Sequence, residues 1–209
     1  MKTILAAAAA ALMLPGAASA ATVFATAVDW SNNGTVGGAN DRDDASNALG
    51  APDGDFLALG LTNADGSNPG FAVFAFDGQT FGGGDASVWE LTFNCTPRQD
   101  GSCTYPESID VYYGTDYAFG SHDFADLSDF TLAGTIFNAD AQGGASLVIP
   151  GTFTYIALVD STLANFGTSP STDGFDVDSL GVNPVPVPGA ALLFAPAIAG
   201  GLIARRRRA

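Results

Sequence analysis

Phe71-Ala72-Val73-Phe74-Ala75-Phe76 and Tyr155-Ile156-Ala157-Leu158-Val159 are apolar at every position. Side chains of a strand alternate between its faces, so a strand without a polar face must be covered on both sides. These two runs therefore predict central strands of a layered β structure. Outward from them, short runs rich in Val, Phe, Tyr, Ile and Thr recur between clusters of Gly, Asn, Asp and Pro. They predict strands over Thr22 to Asp29, Asp55 to Leu61, Phe71 to Phe76, Val88 to Phe93, Ile109 to Tyr113, Phe130 to Phe137, Ala145 to Ile149, Phe153 to Val159 and Phe175 to Val182. Val88 to Phe93 alternates, with Trp89, Leu91 and Phe93 on one face and Glu90 and Thr92 on the other, and Trp89 is expected in the core. No stretch between 21 and 183 keeps a 3.6-residue apolar period for three turns, so the expected class is all-β. Long glycine-bearing loops, Ser31 to Gly54 and Ala64 to Gly70, suit a jelly-roll sandwich better than a tight barrel.

Both ends of the chain stand apart from this pattern. Met1-Lys2, the apolar run Ile4 to Leu14 and the small-x-small triplet Ala18-Ser19-Ala20 have the layout of a signal peptide, 1–20, so signal peptidase is an expected partner. At the other end, 184–209 holds a proline motif, an uncharged stretch to Ala204 and the cluster Arg205, Arg206, Arg207 and Arg208. Fifteen helical residues from Ala190 reach roughly 22 Å, short of the ~30 Å hydrocarbon core, whereas counting from Val185 gives a span of about twenty. The expectation is one C-terminal transmembrane helix, about 185–204, with the arginines on the cytoplasmic side and everything before Pro184 outside.

Between these ends lies one domain, 21–183, with an extreme charge. All 22 acidic residues fall in it and only Arg42 and Arg98 oppose them, a formal charge of −20; twenty of the acids are aspartate, and Glu90 and Glu107 are the two glutamates. Such a surface repels phosphate backbones, so nucleic acid is excluded as a partner and cations are favoured. Cys95 and Cys103 flank a polar, turn-forming stretch, and in an exported chain the pair is expected to close as a disulfide that fixes one hairpin tip.

The order Val185-Pro186-Val187-Pro188-Gly189-Ala190, apolar segment, arginine cluster resembles the PEP-CTERM sorting domain in its VPLPA-like variant, with Val187 where leucine is usual and Gly189 where alanine is usual. The resemblance implies an exosortase as processing partner and a Gram-negative bacterium that makes extracellular polysaccharide. It also implies an inner-membrane-tethered intermediate and a final place at the cell surface or in the matrix. An unprocessed membrane anchor is the alternative. The segments Ala45 to Gly54, Glu107 to Tyr113, Ile156 to Asp160 and Ser171 to Asp178 resemble the ectodomain common in PEP-CTERM proteins, which is similar to a galactose-binding-like (discoidin-type) jelly roll. That likeness implies carbohydrate binding or adhesion, and one structural calcium ion where the first long loop meets the last strand.

The residues permit such an ion. Calcium takes six to eight oxygen ligands, and Asp41, Asp43 and Asp44 crowd the first loop while Asp176 and Asp178 share one face of the last strand. The other reading of these aspartates is a solvated acidic rim. Candidate sugar-stacking aromatics are Trp30, Tyr112, Tyr113 and Tyr117. Catalysis is not expected. His122 beside Ser121 lacks a nucleophile elbow and an oxyanion hole, Glu90 and Glu107 show no surrounding cluster of aromatics and carboxylates, and Gly82-Gly83-Gly84 lacks the lysine of a phosphate loop. The expected function is a non-catalytic surface or matrix protein associated with exopolysaccharide or biofilm. A structural surface protein without a discrete ligand and a secreted glycan hydrolase are the alternatives.

Overall fold

The computed structural model describes residues 21–91, 104–141 and 144–185. The signal segment, Cys95 and Cys103, and the tail from Pro186 through Ala190 to Arg205–Arg208 lie outside the described residues. Among the described residues no helix is long and apolar enough to cross a membrane.

The strands in chain order are β1 (Val23–Phe24), β2 (Ala27–Trp30), β3 (Leu57–Ala58), β4 (Phe71–Ala75), β5 (Gly84–Glu90), β6 (Ser108–Gly114), β7 (Thr131–Phe137), β8 (Ala145–Ile149), β9 (Tyr155–Asp160) and β10 (Asp176–Pro184). Two one-turn helices, α1 (Asn138–Ala141) and α2 (Thr162–Phe166), punctuate them. The strands form two five-stranded antiparallel sheets, β1-β10-β5-β8 with β3 also on β10, and β2-β4-β9-β6-β7. The expected all-β sandwich is present.

The doubly apolar strands sit where their composition demands. Ala72 and Phe74 of β4 and Ile156 and Leu158 of β9 point into the core between the sheets. Phe71, Val73, Ala157 and Val159, on the opposite face of the same strands, form a second cluster with Tyr117 and Leu127. The cover for that face is the segment before β7, whose turn Phe124–Leu127 starts where the Asp123 carboxylate accepts the Ala125 N–H. Phe74, Phe76, Phe153 and Phe175 are fully buried in the main core, each worth about 1.5–3 kcal/mol of burial. Phe81 stacks on Phe153 at 5.1 Å between ring centroids.

Three sequence expectations are corrected. Thr22 to Asp29 is not one strand. Ala25, 1% exposed, marks the point where the chain crosses from β1 in one sheet to β2 in the other. Asp55 to Leu61 keeps only two residues of ladder, on β10. In β5 the alternation is real but its faces are reversed. Ala86 and Val88 are in the core, so Glu90, in phase with them, points inward and is buried. Trp89 faces outward, half-buried, with its ring 5.7 Å from that of Phe24 and close against Gly144. Hydropathy favoured the indole for the interior, but Glu90 ends its strand where the inner face meets other carboxyl groups.

Candidate functional site

A cavity of about 220 Å³ opens at one end of the sandwich, lined by Arg42, Tyr105, Glu107, Ser171, Asp173 and Asp176, with Pro170 and Thr172 completing its wall. Each element delivers its side chain for a local reason. Asp176 is the first residue of β10, and Glu107 immediately precedes β6. The Glu107 segment is held by α1, whose Asn138 N–H donates to the Glu107 carbonyl at 3.0 Å and whose Asn138 Nδ2 donates to the Tyr105 carbonyl at 2.7 Å. Ser169 Oγ donates to the Pro106 carbonyl at 2.8 Å, tying the 169–173 loop to the same segment. Arg42 comes from the first long loop, which is pinned to β3 where the Ala58 N–H donates to the Arg42 carbonyl at 2.9 Å.

Backbone packs directly on backbone behind this wall. Gly60 donates its N–H to the Asp173 carbonyl at 2.8 Å, Leu59 donates to Phe175 at 3.0 Å, and Asp160 donates to Gly70 at 2.8 Å. A Cβ on Gly70 would lie 1.7 Å from the Gly60 carbonyl oxygen, and one on Gly174, at φ +77°, would lie 2.6 Å from it. Only glycine allows the three segments to approach so closely.

The electrostatics of the cavity are lopsided. Glu107, Asp173 and Asp176 are 4, 8 and 7% exposed, and Glu90 is buried next to them. Arg42 pairs with the Asp173 carboxylate, places its guanidinium 5.5 Å from the Phe56 ring centroid and donates from Nε to the Ala39 carbonyl at 2.9 Å. Burial, followed by the charge of Asp176, holds Glu107 well above the usual carboxylate range. Burial and the neighbouring Asp173 push Asp176 up to about 8, against a smaller opposing pull from Arg42. Asp176 Oδ1 is sealed from solvent without a hydrogen-bond partner, whereas the Ser171 hydroxyl acts on Glu107 and partly offsets its rise. Asp160, the last residue of β9, accepts from the Thr62 N–H at 2.8 Å and Thr162 Oγ1 at 2.6 Å, and burial raises it to about 6.

The aspartates named for calcium do not converge. Asp41, Asp43 and Asp44 are exposed, and Asp44 is occupied with the Ser46 N–H at 2.9 Å and Ser46 Oγ at 2.7 Å. Asp176 and Asp178 are separated in function by the register shift between Val177 and Ser179. Asp178 turns to the N–H groups of Asp53 and Gly54 at 3.1 and 3.4 Å, whereas Asp176 lines the cavity. Among the described residues no three Asp, Glu, His or Cys side chains stand where one metal ion would join them. The proposed ligand set does not fit a calcium ion.

The expected stacking aromatics are engaged elsewhere. Trp30 packs on the core and donates its indole N–H to the Leu59 carbonyl at 3.0 Å. Tyr113 packs on the core beside Phe153, and Tyr117 is 7% exposed. Tyr112 is half-buried beside an apolar groove with Phe124, Leu127 and Val159. The aromatic that does stand at a polar cavity is Tyr105, 40% exposed, which the strand pattern passed over. His122 is not a plain loop histidine: Nδ1 pairs with buried Asp29, and its own φ is +53°. The Ser121 hydroxyl is instead committed to Asp126 at 2.7 Å, so no Ser–His pair forms.

Glu90 and Glu107 overturn the expectation that they lack company, since folding brings them into one carboxyl cluster with Asp173 and Asp176. A signal for it existed. Two glutamates among twenty aspartates occupy strand-rich positions rather than loops, and both are buried.

No family model matches the chain, and no curated protein matches it. Among solved structures it is similar to the SusE-like protein BT2857, at 13% identity and a TM-score of 0.46, over 70% of this chain and 60% of that one. The chain thus covers less than two thirds of the length of that protein.

Proposed function

We propose that the chain is an exported surface or matrix protein whose non-catalytic sandwich, a galactose-binding-like jelly roll, binds polysaccharide in the Tyr105 cavity. The observation that supports this reading is the combination in one cleft of an exposed tyrosine ring, a guanidinium and three carboxyl groups. Sugar rings offer an apolar face for an aromatic and a rim of hydroxyls for planar charged groups, and a cleft with few convergent polar groups suits such a ligand. In this reading signal peptidase removes 1–20, an exosortase processes the PEP-CTERM-type tail, and the mature domain resides in the exopolysaccharide or biofilm of a Gram-negative bacterium.

Retention of the purified protein on the producing organism's exopolysaccharide tests the reading. The expected result is retardation that Tyr105→Ala removes while the melting temperature is kept. Free passage of the unaltered protein would leave a structural surface component without a ligand, and turnover of the polysaccharide would replace binding by hydrolysis.

A further inference from the structure

We propose that the cavity takes an ammonium group, and that its ligand is a polysaccharide carrying unacetylated amino sugars; this rests on the polysaccharide reading above and specifies its chemistry. Arg42 is the one lysine or arginine among the described residues, and it is already paired with Asp173. Glu107 and Asp176, both more than nine-tenths buried, thus line the cavity with no cation paired to either, and Arg42, engaged by Asp173, offsets the charge of Asp176 only in part. Burying carboxyl groups in this way is unfavourable unless a proton or a cation joins them.

One further atom points to a ligand rather than to protonation alone. Asp176 Oδ1 belongs to a side chain that lines the cavity, 7% exposed, and has no hydrogen-bond partner, while Ser171 beside it turns its hydroxyl to Glu107. Buried polar atoms in folded proteins are nearly always paired, so such a carboxyl oxygen at a cavity describes a missing donor. The donor is an ammonium and not a metal ion because of geometry. A divalent hard cation requires six to eight oxygens at fixed distances, and no three metal-ligating side chains converge here. An ammonium has three N–H donors on a pivot, matched by the carboxylates of Asp176 and Glu107 and the hydroxyl of Ser171.

Size and surroundings select the carrier of that ammonium. The volume, about 220 Å³, corresponds to roughly seven waters at about 30 Å³ each, enough for one sugar ring. The exposed Tyr105 ring lies where the rest of the sugar would emerge. The acidic surface attracts a polycation from a distance, whereas a neutral glycan gains nothing from it.

Isothermal titration of the purified protein with glucosamine oligomers, N-acetylglucosamine oligomers and cello-oligomers of equal length, in physiological salt to screen the general surface charge, tests the inference. The expected result is binding of the glucosamine oligomer about tenfold tighter than of its acetylated counterpart. Asp176→Asn and, as a second variant should that one not fold, Glu107→Gln should abolish the preference, while Asp65→Asn on the exposed surface should leave it intact. Equal binding of acetylated and free forms, lost in Tyr105→Ala, would overturn the ammonium and keep the polysaccharide reading. A preference reduced equally by Asp65→Asn would assign it to surface charge and overturn the site, and binding of no oligomer would remove both proposals. Calcium that raises the melting temperature of the unaltered protein but not of Asp176→Asn, with no preference among the sugars, would also overturn it.

Discussion

Tyr117 donates its hydroxyl to Asp29 over 2.8 Å, joining a loop and the strand β2 with both side chains buried. The same carboxylate accepts the Gly120 N–H at 2.8 Å and the His122 N–H at 3.4 Å, and its other oxygen meets His122 Nδ1. One aspartate therefore anchors the whole segment that covers the outer apolar face of β4 and β9.

Tyr117→Phe should destabilise the domain by about 1.5–3 kcal/mol, the loss expected for a hydrogen bond to a charged group. Faster amide exchange at Gly120 and His122, with β5 and β10 unaffected, is the expected signature. Unchanged exchange there would show that the covering segment is held by apolar contact alone.

Stability should fall as pH rises. Asp176 is raised from 3.8 to about 8, Asp160 to about 6 and Glu107 upward as well, each chiefly by burial, so the native state binds more protons than the unfolded chain in this interval. With more protons on the folded side, unfolding free energy decreases with pH. The stability is full below about pH 4 for these groups and is lost progressively up to about pH 8. For Asp176 alone the change is at most about 6 kcal/mol. Melting curves at about pH 5 and about pH 8 should separate clearly for the unaltered protein and less for Asp176→Asn; a higher melting temperature at the alkaline end would contradict the raised acids.

Gly70→Ala should destabilise by about 3 kcal/mol or more, because its Cβ would enter the Gly60 carbonyl and neither backbone can withdraw without breaking the cavity wall. Gly37→Ala, with nothing within 4 Å of the added carbon, should stay within about 0.5 kcal/mol of the parent. Chemical denaturation of the two variants side by side checks the contrast.

Trp30→Ala and Tyr113→Ala should lower the melting temperature and leave retention on polysaccharide unchanged once folding is restored by cooling. Their rings pack, half-buried, against the core, where full burial would make such large-to-small changes cost about 3–5 kcal/mol, so a smaller loss is expected. Tyr105→Ala should do the reverse.

Much of the layered architecture was legible in the chain because period-2 patterns and doubly apolar runs act locally. Phe71 to Phe76 and Tyr155 to Val159 announced two covered faces, and both are covered. Trp89 and Glu90 show where that reasoning stops. Alternation shows which residues share a face but not which face is inside, and here the phase shared with the core residues Ala86 and Val88 carries Glu90 inward, against the repulsion of a carboxyl cluster assembled from distant segments. The cavity was illegible for the same reason. Arg42, Asp173 and Asp176 meet through the pairing of β3 with β10 and the glycine crossing behind them, and Glu107 joins them through the ties of its segment to α1 and to Ser169. The calcium set failed on a local irregularity, the bulge after Val177, which no composition rule marks.

β10 begins at Asp176 in the cavity wall and ends at Pro184, so the cavity and the C-terminal end of the last strand lie at opposite ends of one element about 30 Å long. That strand is hydrogen-bonded to β5 along one side and to β3 and β1 along the other. Tension between a polymer held in the cavity and a tether beyond Val185 would run lengthwise through β10 and load its ladders in shear, with many bonds sharing the force. Under the proposed function, the central strand would thereby be a tensile member, placed to resist drag rather than to peel away under it.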